Sequence, residues 1–276
     1  MRELYLCASS EVKTKNENLL SSIKANGFKI KTYSPKASSP EDKVLVLGGD
    51  GSLNHFLNLH SDCSRLPHLV YLACGTGNDF SRLFKNREPT FENFLTLYEG
   101  KPLDIPIAMC NERYFINVAS GGDLARITNP SDDEKKKNWG KLSYYLEGIK
   151  ATTTLERKKF KITAGKIKKQ VEAVGFVIAQ GAYAGGGIKV TQSAGLHPYL
   201  FECLFFKSDS IFDGLRSFIE LQKDFSELDS DQVSFFRSES LTIECDKKDC
   251  VKLDGEPYWD TIFKFKHSDE TLPFMI

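Results

Sequence analysis

Short apolar runs alternate with segments of helical periodicity through the N-terminal third of the chain. The runs that read as strands are Leu4–Ala8, Phe28–Tyr33, Val44–Leu47 and Leu69–Ala73. The helix-like segments are Asn16–Asn26 with Gly27 in the C-cap region, Ser52–His60 with Ser52 as N-cap, and Thr90–Glu99 ending at Gly100. Strands that alternate with helices predict a parallel sheet covered by helices.

The pattern changes near residue 104, where short apolar runs begin to follow one another with turn residues between them. These runs are 105–109, 114–119, 160–163, 171–179, 201–206, 241–245, 250–253 and 261–265. Two helical segments, Trp139–Ile149 and Ile211–Lys223, interrupt them. Successive strands of this kind predict an antiparallel sandwich or barrel. We therefore predict an α/β domain over 1–104 and a mainly antiparallel β-sandwich over 105–267, with the tail 268–276 free to return to the first domain.

The composition excludes several classes of function. The 276 residues carry 37 Lys and Arg against 37 Asp and Glu, so no nucleic-acid partner is expected, because such partners need clustered net positive charge. No apolar stretch reaches the roughly 20 residues that span a bilayer. The N-terminus lacks a signal-peptide core, which predicts a cytoplasmic protein. The 7 cysteines form no CxxC pair, which predicts free thiols and no zinc site.

The first candidate for chemistry is a glycine-rich turn between a buried strand and a helix. It reads Gly48-Gly49-Asp50-Gly51-Ser52-Leu53-Asn54. Glycines in this position let backbone N–H groups approach phosphate oxygens, and the following helix adds partial positive charge. A carboxylate inside the turn then needs magnesium, a cation partner or a hydroxyl that will lose its proton. Taken alone, the pattern fits a tight Asp-Gly turn equally well.

A second turn of similar design follows the next strand. It reads Gly75-Thr76-Gly77-Asn78-Asp79-Phe80-Ser81-Arg82. Two neighbouring strand ends that carry glycine and polar side chains predict one crevice, where open α/β sheets bind ligands. The chain has neither the G-x-G-x-x-G dinucleotide fingerprint nor the P-loop lysine pattern, so those two nucleotide sites are disfavoured.

These two turns, together with later motifs in the same order, resemble the diacylglycerol kinase-like lipid kinases, a family that includes sphingosine kinases and short bacterial lipid kinases. The matching segments are 48–54, 75–82, 101–105, 114–122, 140–145, 185–190 and 253–256. The resemblance implies an ATP- and magnesium-dependent kinase that phosphorylates the hydroxyl of a membrane lipid such as diacylglycerol or a sphingoid base. It also implies that the first domain binds nucleotide, that the sandwich binds lipid, and that the protein associates peripherally with a membrane.

The same resemblance assigns roles to individual residues. Glu256 and Asp50 would be catalytic, with Glu256 as the proton acceptor. The residues implied to contact ATP are Gly48, Gly49, Asp50, Gly51, Ser52, Leu53, Asn54, Gly75, Thr76, Gly77 and Asn78. Asp79, Asp104 and Lys141 would join the charge network, and Asp50 and Asp79 would hold the catalytic magnesium. Without the family, Glu256 reads as a solvated hairpin residue, and Asp104 and Lys141 read as surface residues.

The sequence departs from the family pattern in ways that leave other functions open. Ala8–Lys15 lacks the usual proline and glycine, and the stretch between residues 28 and 44 is shortened. Leu196-His197-Pro198-Tyr199 carries no carboxylate where a structural magnesium site is usual, so that site is predicted to be absent. One alternative is therefore a catalytically impaired relative that binds lipid, and another is a small-molecule kinase like NAD kinase. A homodimer is also left open.

A predicted hairpin over 157–170 carries seven basic residues and no acidic one. They are Arg157, Lys158, Lys159, Lys161, Lys166, Lys168 and Lys169. A solvated outer face of a sheet explains them slightly better than contact with anionic lipid headgroups, although a kinase of membrane lipids has a use for such contact.

Overall fold

The computed structural model describes residues 2–37, 39–60, 66–127, 155–191, 199–208 and 227–276. The expected helices over 139–149 and 211–223, together with Lys141 and residues 196–198, lie outside the described residues. The helices are α1 (Ser10–Lys15), α2 (Glu17–Ala25), α3 (Asp50–Asn58), α4 (Phe91–Glu99) and α5 (Asp123–Ile127). None of these described helices is both long and apolar enough to cross a bilayer.

The strands of the first half are β1 (Arg2–Cys7), β2 (Phe28–Thr32), β3 (Lys43–Gly48), β4 (His68–Ala73), β5 (Pro102–Cys110), β6 (Arg113–Phe115) and β7 (Val118–Gly122). Those of the second half are β8 (Lys158–Ala164), β9 (Ile167–Ala173), β10 (Gly175–Ala179), β11 (Tyr183–Ala184), β12 (Ile188–Lys189), β13 (Phe201–Phe206), β14 (Glu227–Asp229), β15 (Val233–Ser238), β16 (Leu241–Leu253) and β17 (Glu256–Met275).

The sheet changes from parallel to antiparallel along its length. β2, β1, β3 and β4 pair in parallel in that order, and the end of β17 continues the parallel part by pairing Phe274 with Leu69. From β17 onward the pairs are antiparallel, through β16, β7, β10, β13 and β15. The predicted fold class, a parallel α/β part followed by an antiparallel sandwich, is confirmed. The division at residue 104 stays a prediction.

In β3 and in β10, the side chains on both faces of the strand are buried. In β3, Leu45 and Leu47 pack in one apolar cluster while Val44 and Val46 pack in another, as a strand covered on both sides requires. In β10, Phe176 contributes to one cluster and Val177 to a different one. This alternation explains why β3 and β10 read in the sequence as continuous apolar runs.

Several predicted boundaries were wrong. The helix expected to start at Ser52 starts at Asp50 with Gly49 as N-cap, because the strand enters the helix directly and the Ser52 amide already bonds to the Gly49 carbonyl at 3.0 Å. The helix expected over 16–26 is confirmed as α2, capped by Asn16 and Asn26, but the short helix α1 that precedes it was not predicted. The strand expected over 114–119 is split between β6 and β7, and the runs 241–245 and 250–253 form one bulged strand, β16. The sequence prediction missed β15.

Candidate functional site

The two glycine turns touch each other through their backbones at the carboxyl ends of β3 and β4. A Cβ on Gly75 would lie 2.5 Å from the Cα of Gly49, and a Cβ on Gly49 would lie 3.0 Å from the Cα of Gly75. The Cys74 amide donates to the Gly48 carbonyl at 2.9 Å. Since no side chain fits between the turns, glycine at both positions is a packing requirement, and the two motifs form one wall.

Asn78 fixes the shape of the second turn. Its backbone has φ 51°, a left-handed value that asparagine tolerates better than most residues. Its side chain accepts from the Gly75 amide at 2.9 Å and donates to the Gly75 carbonyl at 2.7 Å. The asparagine predicted to contact ATP therefore holds its own turn with its side-chain amide.

Asp50 links the two turns from the first residue of α3. Its carboxylate accepts from the Asp79 amide at 2.9 Å and from the Phe80 amide at 3.1 Å. Burial raises the pKa of Asp50 to about 6, the nearby carboxylates of Asp79 and Asp254 add to the rise, and the two amide bonds oppose it. At neutral pH this carboxylate is therefore ionised but destabilised by burial.

Asp79 connects the first half to the glycine loop of the second half. It is 6% exposed and accepts from the Gly186 amide at 2.8 Å, while Arg82 Nε lies 3.5 Å from its Oδ1. Burial raises the pKa of Asp79, and the Gly186 amide and Arg82 oppose the rise. Arg82 also donates to the carbonyls of Gly77 and Gly186 at 3.3 and 3.2 Å. The loop around Gly186 thus closes one side of the crevice.

The turn between β16 and β17 closes the other side. Asp254, with φ 50°, accepts from the amides of Ile116, Asn117 and Val118 at 2.8, 2.9 and 3.1 Å. It also accepts from Asn54 Nδ2 on α3 at 3.1 Å. Burial of the carboxyl raises the pKa of Asp254, against these donors. With four donors satisfied, this carboxylate acts as a clamp between α3 and the second half.

Asn54 belongs to the same clamp. It is buried, and its amide also donates to the Tyr114 carbonyl at 3.1 Å. A contact with ATP was predicted for Asn54, but its side chain is committed to Asp254 and to β6 on the side of α3 that faces the second half.

Glu256 is exposed at the start of β17, two residues after the clamp. A Cβ on Gly51 would lie 3.6 Å from its Oε1, so the carboxylate lies over the first turn of α3. An open cavity of about 480 Å³ adjoins it, lined by Gly51, Asn54, His55, Asn58, Arg113, Tyr114, Leu253, Glu256, Pro257 and Tyr258. Glu256 is thus both accessible and close to the glycine turns.

The structure brings most of the predicted site residues together, but it does not bring Asp104 to them. Asp104 is exposed on β5 opposite Pro273, whose neighbour Phe274 pairs with Leu69 at the amino end of β4. Asp50 and Asp79 lie at the carboxyl ends of the strands. No ion pair or hydrogen bond within the described ranges joins Asp104 to them. The pairing of β17 with β5 and with β4 places Asp104 at the opposite end of the strands from Asp50 and Asp79. A sequence motif does not reveal this pairing.

The remaining predicted residues line or support the crevice. Gly51 and Thr76 are exposed at its rim, whereas Gly48 and Leu53 are buried below it. Sequence reasoning assigned no role to Arg82, and it counted Asp254 among the acids of the crevice without predicting that its carboxylate holds backbone amides. Their partners come from distant parts of the chain, and only the pairing of strands reveals them.

The carboxylates of Asp50 and Asp79 are suited to a metal ion that binds together with a phosphate-bearing ligand. Within the described ranges, no group of three or more His, Cys, Asp or Glu side chains is arranged to hold a metal. Asp79 Oδ1 is buried, accepts no hydrogen bond and lies 3.5 Å from Arg82 Nε, while the Asp50 carboxylate accepts from the Asp79 amide. Magnesium commonly takes one or two carboxylates and completes its shell with phosphate oxygens and water. Asp50 and Asp79 therefore fit magnesium bound together with a nucleotide and do not form a complete metal site by themselves.

The touching glycine turns and the carboxylates of Asp50 and Asp79 lie at the carboxyl ends of parallel strands, the position at which open α/β sheets bind ligands. Two domain families match the chain: the Diacylglycerol kinase catalytic domain over residues 12–110 and the YegS C-terminal NAD kinase beta sandwich-like domain over residues 117–272. The second match alone covers more than half of the chain. The chain belongs to the diacylglycerol kinase-like lipid kinase family, as its motifs predicted, and is a kinase by class.

Individual proteins agree with this assignment. The chain is 26% identical over 217 residues to the diacylglycerol kinase of Bacillus subtilis strain 168, covering 78% of this chain and 71% of that protein. It is 28% identical over 217 residues to the "Probable lipid kinase YegS" of Shigella flexneri, with the same coverage. A crystal structure of a diacylglycerol kinase from Bacillus anthracis str. Sterne shares the fold, with a TM-score of 0.65, 20% identity, and coverage of 99% and 96% of the two chains.

Proposed function

We propose that this kinase transfers the terminal phosphoryl group of magnesium-bound ATP to the hydroxyl of a membrane lipid, such as diacylglycerol or a sphingoid base. The observation that carries the proposal is the position of Glu256, an exposed carboxylate over the first turn of α3, beside two glycine turns joined by Asp50. Phosphoryl transfer needs positioning and charge neutralisation more than covalent chemistry, and this crevice offers both.

The glycine turns are proposed to bind the nucleotide phosphates. Neither Gly49 nor Gly75 carries a side chain where the turns touch, so a phosphate chain can approach this wall closely, while the Gly75 amide itself is bonded to Asn78. The Asp79–Gly186 hydrogen bond brings the second half against the same crevice, so the phosphates would lie between the two halves.

Asp50 and Asp79 are proposed to hold magnesium against those phosphates. When bound, the ion supplies charge neutralisation at the transferred group. The role requires ionised carboxylates, and with a pKa of about 6 Asp50 carries its charge at neutral pH. The buried Oδ1 of Asp79 accepts no hydrogen bond and lies 3.5 Å from Arg82 Nε, so an ion bound there would share this oxygen with the guanidinium group.

Glu256 is proposed to accept the proton of the lipid hydroxyl. Asp254 is less suited to this role because four donors already surround its carboxylate. The cavity beside Glu256 has room for a polar headgroup, and the acyl chains of such a lipid would come from a membrane surface. General-base catalysis typically contributes about 10²- to 10⁴-fold to the rate.

The test is a kinase assay on the purified full chain with ATP and magnesium, using diacylglycerol, sphingosine and other lipid alcohols in mixed micelles, and NAD as a further acceptor. We expect phosphorylated lipid by mass spectrometry, and a fall in kcat of about 10²- to 10⁴-fold for Glu256→Gln. Glu112→Gln, a neutralised exposed acid in the turn between β5 and β6, is the matched control and should behave as the parent.

Each alternative predicts a different result. Phosphorylation of NAD without any lipid product would show an NAD kinase-like enzyme and overturn the proposal of a lipid kinase. If calorimetry detected no ATP binding and the purified protein retained bound lipid, the protein would be a lipid-binding relative and not a kinase that uses ATP. Full activity in Glu256→Gln would remove the proposed proton acceptor and leave the substrate class standing.

A further inference from the structure

One exposed sheet face in the second half collects lysines from neighbouring strands; we call it the lysine face. Its members are Lys159 and Lys161 on β8, Lys166 in the following turn, Lys168 on β9, and Lys264 and Lys266 on β17. Register shows that they share a face, because Lys161 pairs with Glu244 and Glu244 pairs with Ile262. Phe160 and Ile162, on either side of Lys161, point the other way into the core.

The acids on this face neutralise only part of its charge. Lys159 lies 3.5 Å from Glu172, and Lys161 lies 3.7 Å from Asp246, both as exposed pairs. Glu244 is the third exposed acid in these rows. Lys166, Lys168, Lys264 and Lys266 make no ion pair with any residue that the structure describes. The face therefore keeps an excess of positive charge although the whole chain is neutral.

Two large apolar side chains stand exposed where the lysine face approaches the candidate site. Trp259 is 52% exposed and Ile262 is 41% exposed, both on β17. Tryptophan is favoured at the boundary between water and lipid because its ring is apolar and its N–H is polar. Trp259 follows Glu256 by three residues, a distance of roughly 10 Å along a strand. The cavity beside Glu256 is itself lined by Pro257 and Tyr258.

We propose that the lysine face, with Trp259 and Ile262, docks this protein on an anionic lipid surface and so brings the cavity beside Glu256 to the headgroups. Lysines in excess, flanked by an exposed tryptophan and an exposed isoleucine, are complementary to an anionic surface with an apolar interior. The choice of a bilayer rests on the proposed lipid substrate. Docking itself does not require phosphoryl transfer, so the two ideas can fail separately.

The main test is co-sedimentation with vesicles of phosphatidylcholine alone and of phosphatidylcholine with phosphatidylglycerol in equal parts. We expect the parent to bind only the anionic vesicles, with an affinity that falls as salt rises. The variant Lys168→Glu/Lys264→Glu/Lys266→Glu should bind roughly 100-fold more weakly, since each lysine near such a surface is worth about fivefold. Lys24→Glu/Lys29→Glu/Lys36→Glu, an equal charge change on exposed lysines of the first half, is the control and should bind as the parent.

Equal losses in the two triple variants would overturn the proposal, because they would show an effect of net charge alone. Absence of binding by the parent to anionic vesicles would also overturn it, and an acidic protein partner would then become the better explanation.

Fluorescence tests the position of Trp259 directly. The chain has 2 tryptophans, so Trp139→Phe leaves Trp259 as the only indole. Emission should shift to shorter wavelength with anionic vesicles and stay unchanged with phosphatidylcholine. An unchanged spectrum on vesicles that bind the protein would exclude this part of the face from the contact.

Kinase assays in two settings separate docking from catalysis. In micelles of a neutral detergent, the lysine-face variant should keep the activity of the parent, whereas on anionic vesicles it should lose activity in proportion to its binding. If the parent bound vesicles through the lysine face but phosphorylated no lipid, the proposed lipid kinase activity would be overturned and the docking surface would stand. If the parent phosphorylated lipid but both triple variants bound vesicles equally well, the docking surface would be overturned and the proposed lipid kinase activity would stand.

Discussion

The paired glycine turns and the β16–β17 turn face each other across one crevice, yet they are built differently. In the glycine turns, Asp50 and Asp79 are both held by backbone amides of other segments. In the β16–β17 turn, Asp254 is held by three amides and Asn54, whereas Glu256, two residues later, is exposed and accepts none of the hydrogen bonds found among the described residues. The difference teaches that the carboxylates which fix geometry in this crevice accept from backbone amides, whereas Glu256, which accepts from none that the structure describes, is the candidate for proton transfer.

The largest expected effect separates the two carboxylates of the β16–β17 turn. Asp254→Ala leaves three backbone amides without their acceptor and should lower the free energy of unfolding by about 3 kcal/mol. Glu256→Gln should change it by no more than about 0.5 kcal/mol, since the side chain is exposed. Urea denaturation measures both.

Asp254→Asn is the informative intermediate for this comparison. Asparagine tolerates the positive φ and keeps one acceptor oxygen, so about half of the loss is expected. If Asp254→Ala and Glu256→Gln proved equally stable, Asp254 would not be a clamp.

A smaller effect is expected where the two glycine turns touch. Gly75→Ala places a Cβ 2.5 Å from the Cα of Gly49, so backbone must move, at a cost of roughly 1–3 kcal/mol. Gly51→Ala is the matched control, because its Cβ meets only Glu256 Oε1 at 3.6 Å and alanine favours the helix. Thermal unfolding should show a lower Tm for the first variant and an unchanged or higher Tm for the second. Equal Tm values would mean that the turns are not in rigid contact.

The smallest expected effect is a pH dependence that comes from Asp50. Its pKa is about 6 in the folded chain against an ordinary 3.8, so its contribution to stability is fully present below about pH 4 and is lost as pH rises through 6. The Tm of the parent should therefore fall relative to that of Asp50→Asn between pH 4 and 7. Parallel curves for the parent and Asp50→Asn would show that Asp50 is not held in a buried site.

The parts of the fold that depend on neighbours in sequence were predictable. The alternation of β3, α3, β4 and α4 follows from local periodicity, and each predicted element formed within a few residues of its expected bounds. The N-cap at Gly49 was missed because serine is a better N-cap residue than glycine by type, which favoured Ser52. The helix instead begins directly after β3 ends at Gly48.

The parts of the site that depend on pairing across the chain could not be predicted. Asp104 follows a family motif, but register on β17 places it at the far end of the sheet from Asp50. The bond from Asn54 to Asp254 joins residues that are far apart in sequence, and neither position signals the other. Residue type and spacing locate the turns, whereas side-chain partners require the sheet order.

The strand β17 begins with Glu256 at the crevice and ends beside β4, so the final residues of the chain complete the sheet of the first half. Phe274 and Leu69 are separated by about two hundred residues, a pairing of very high contact order that forms only after the intervening sequence has been synthesised. During translation the first half is therefore left with an unpaired edge on β4, a site for transient contact with other strands. The strand that carries the proposed proton acceptor also covers that edge of β4, so one strand completes both the crevice and the parallel part of the sheet.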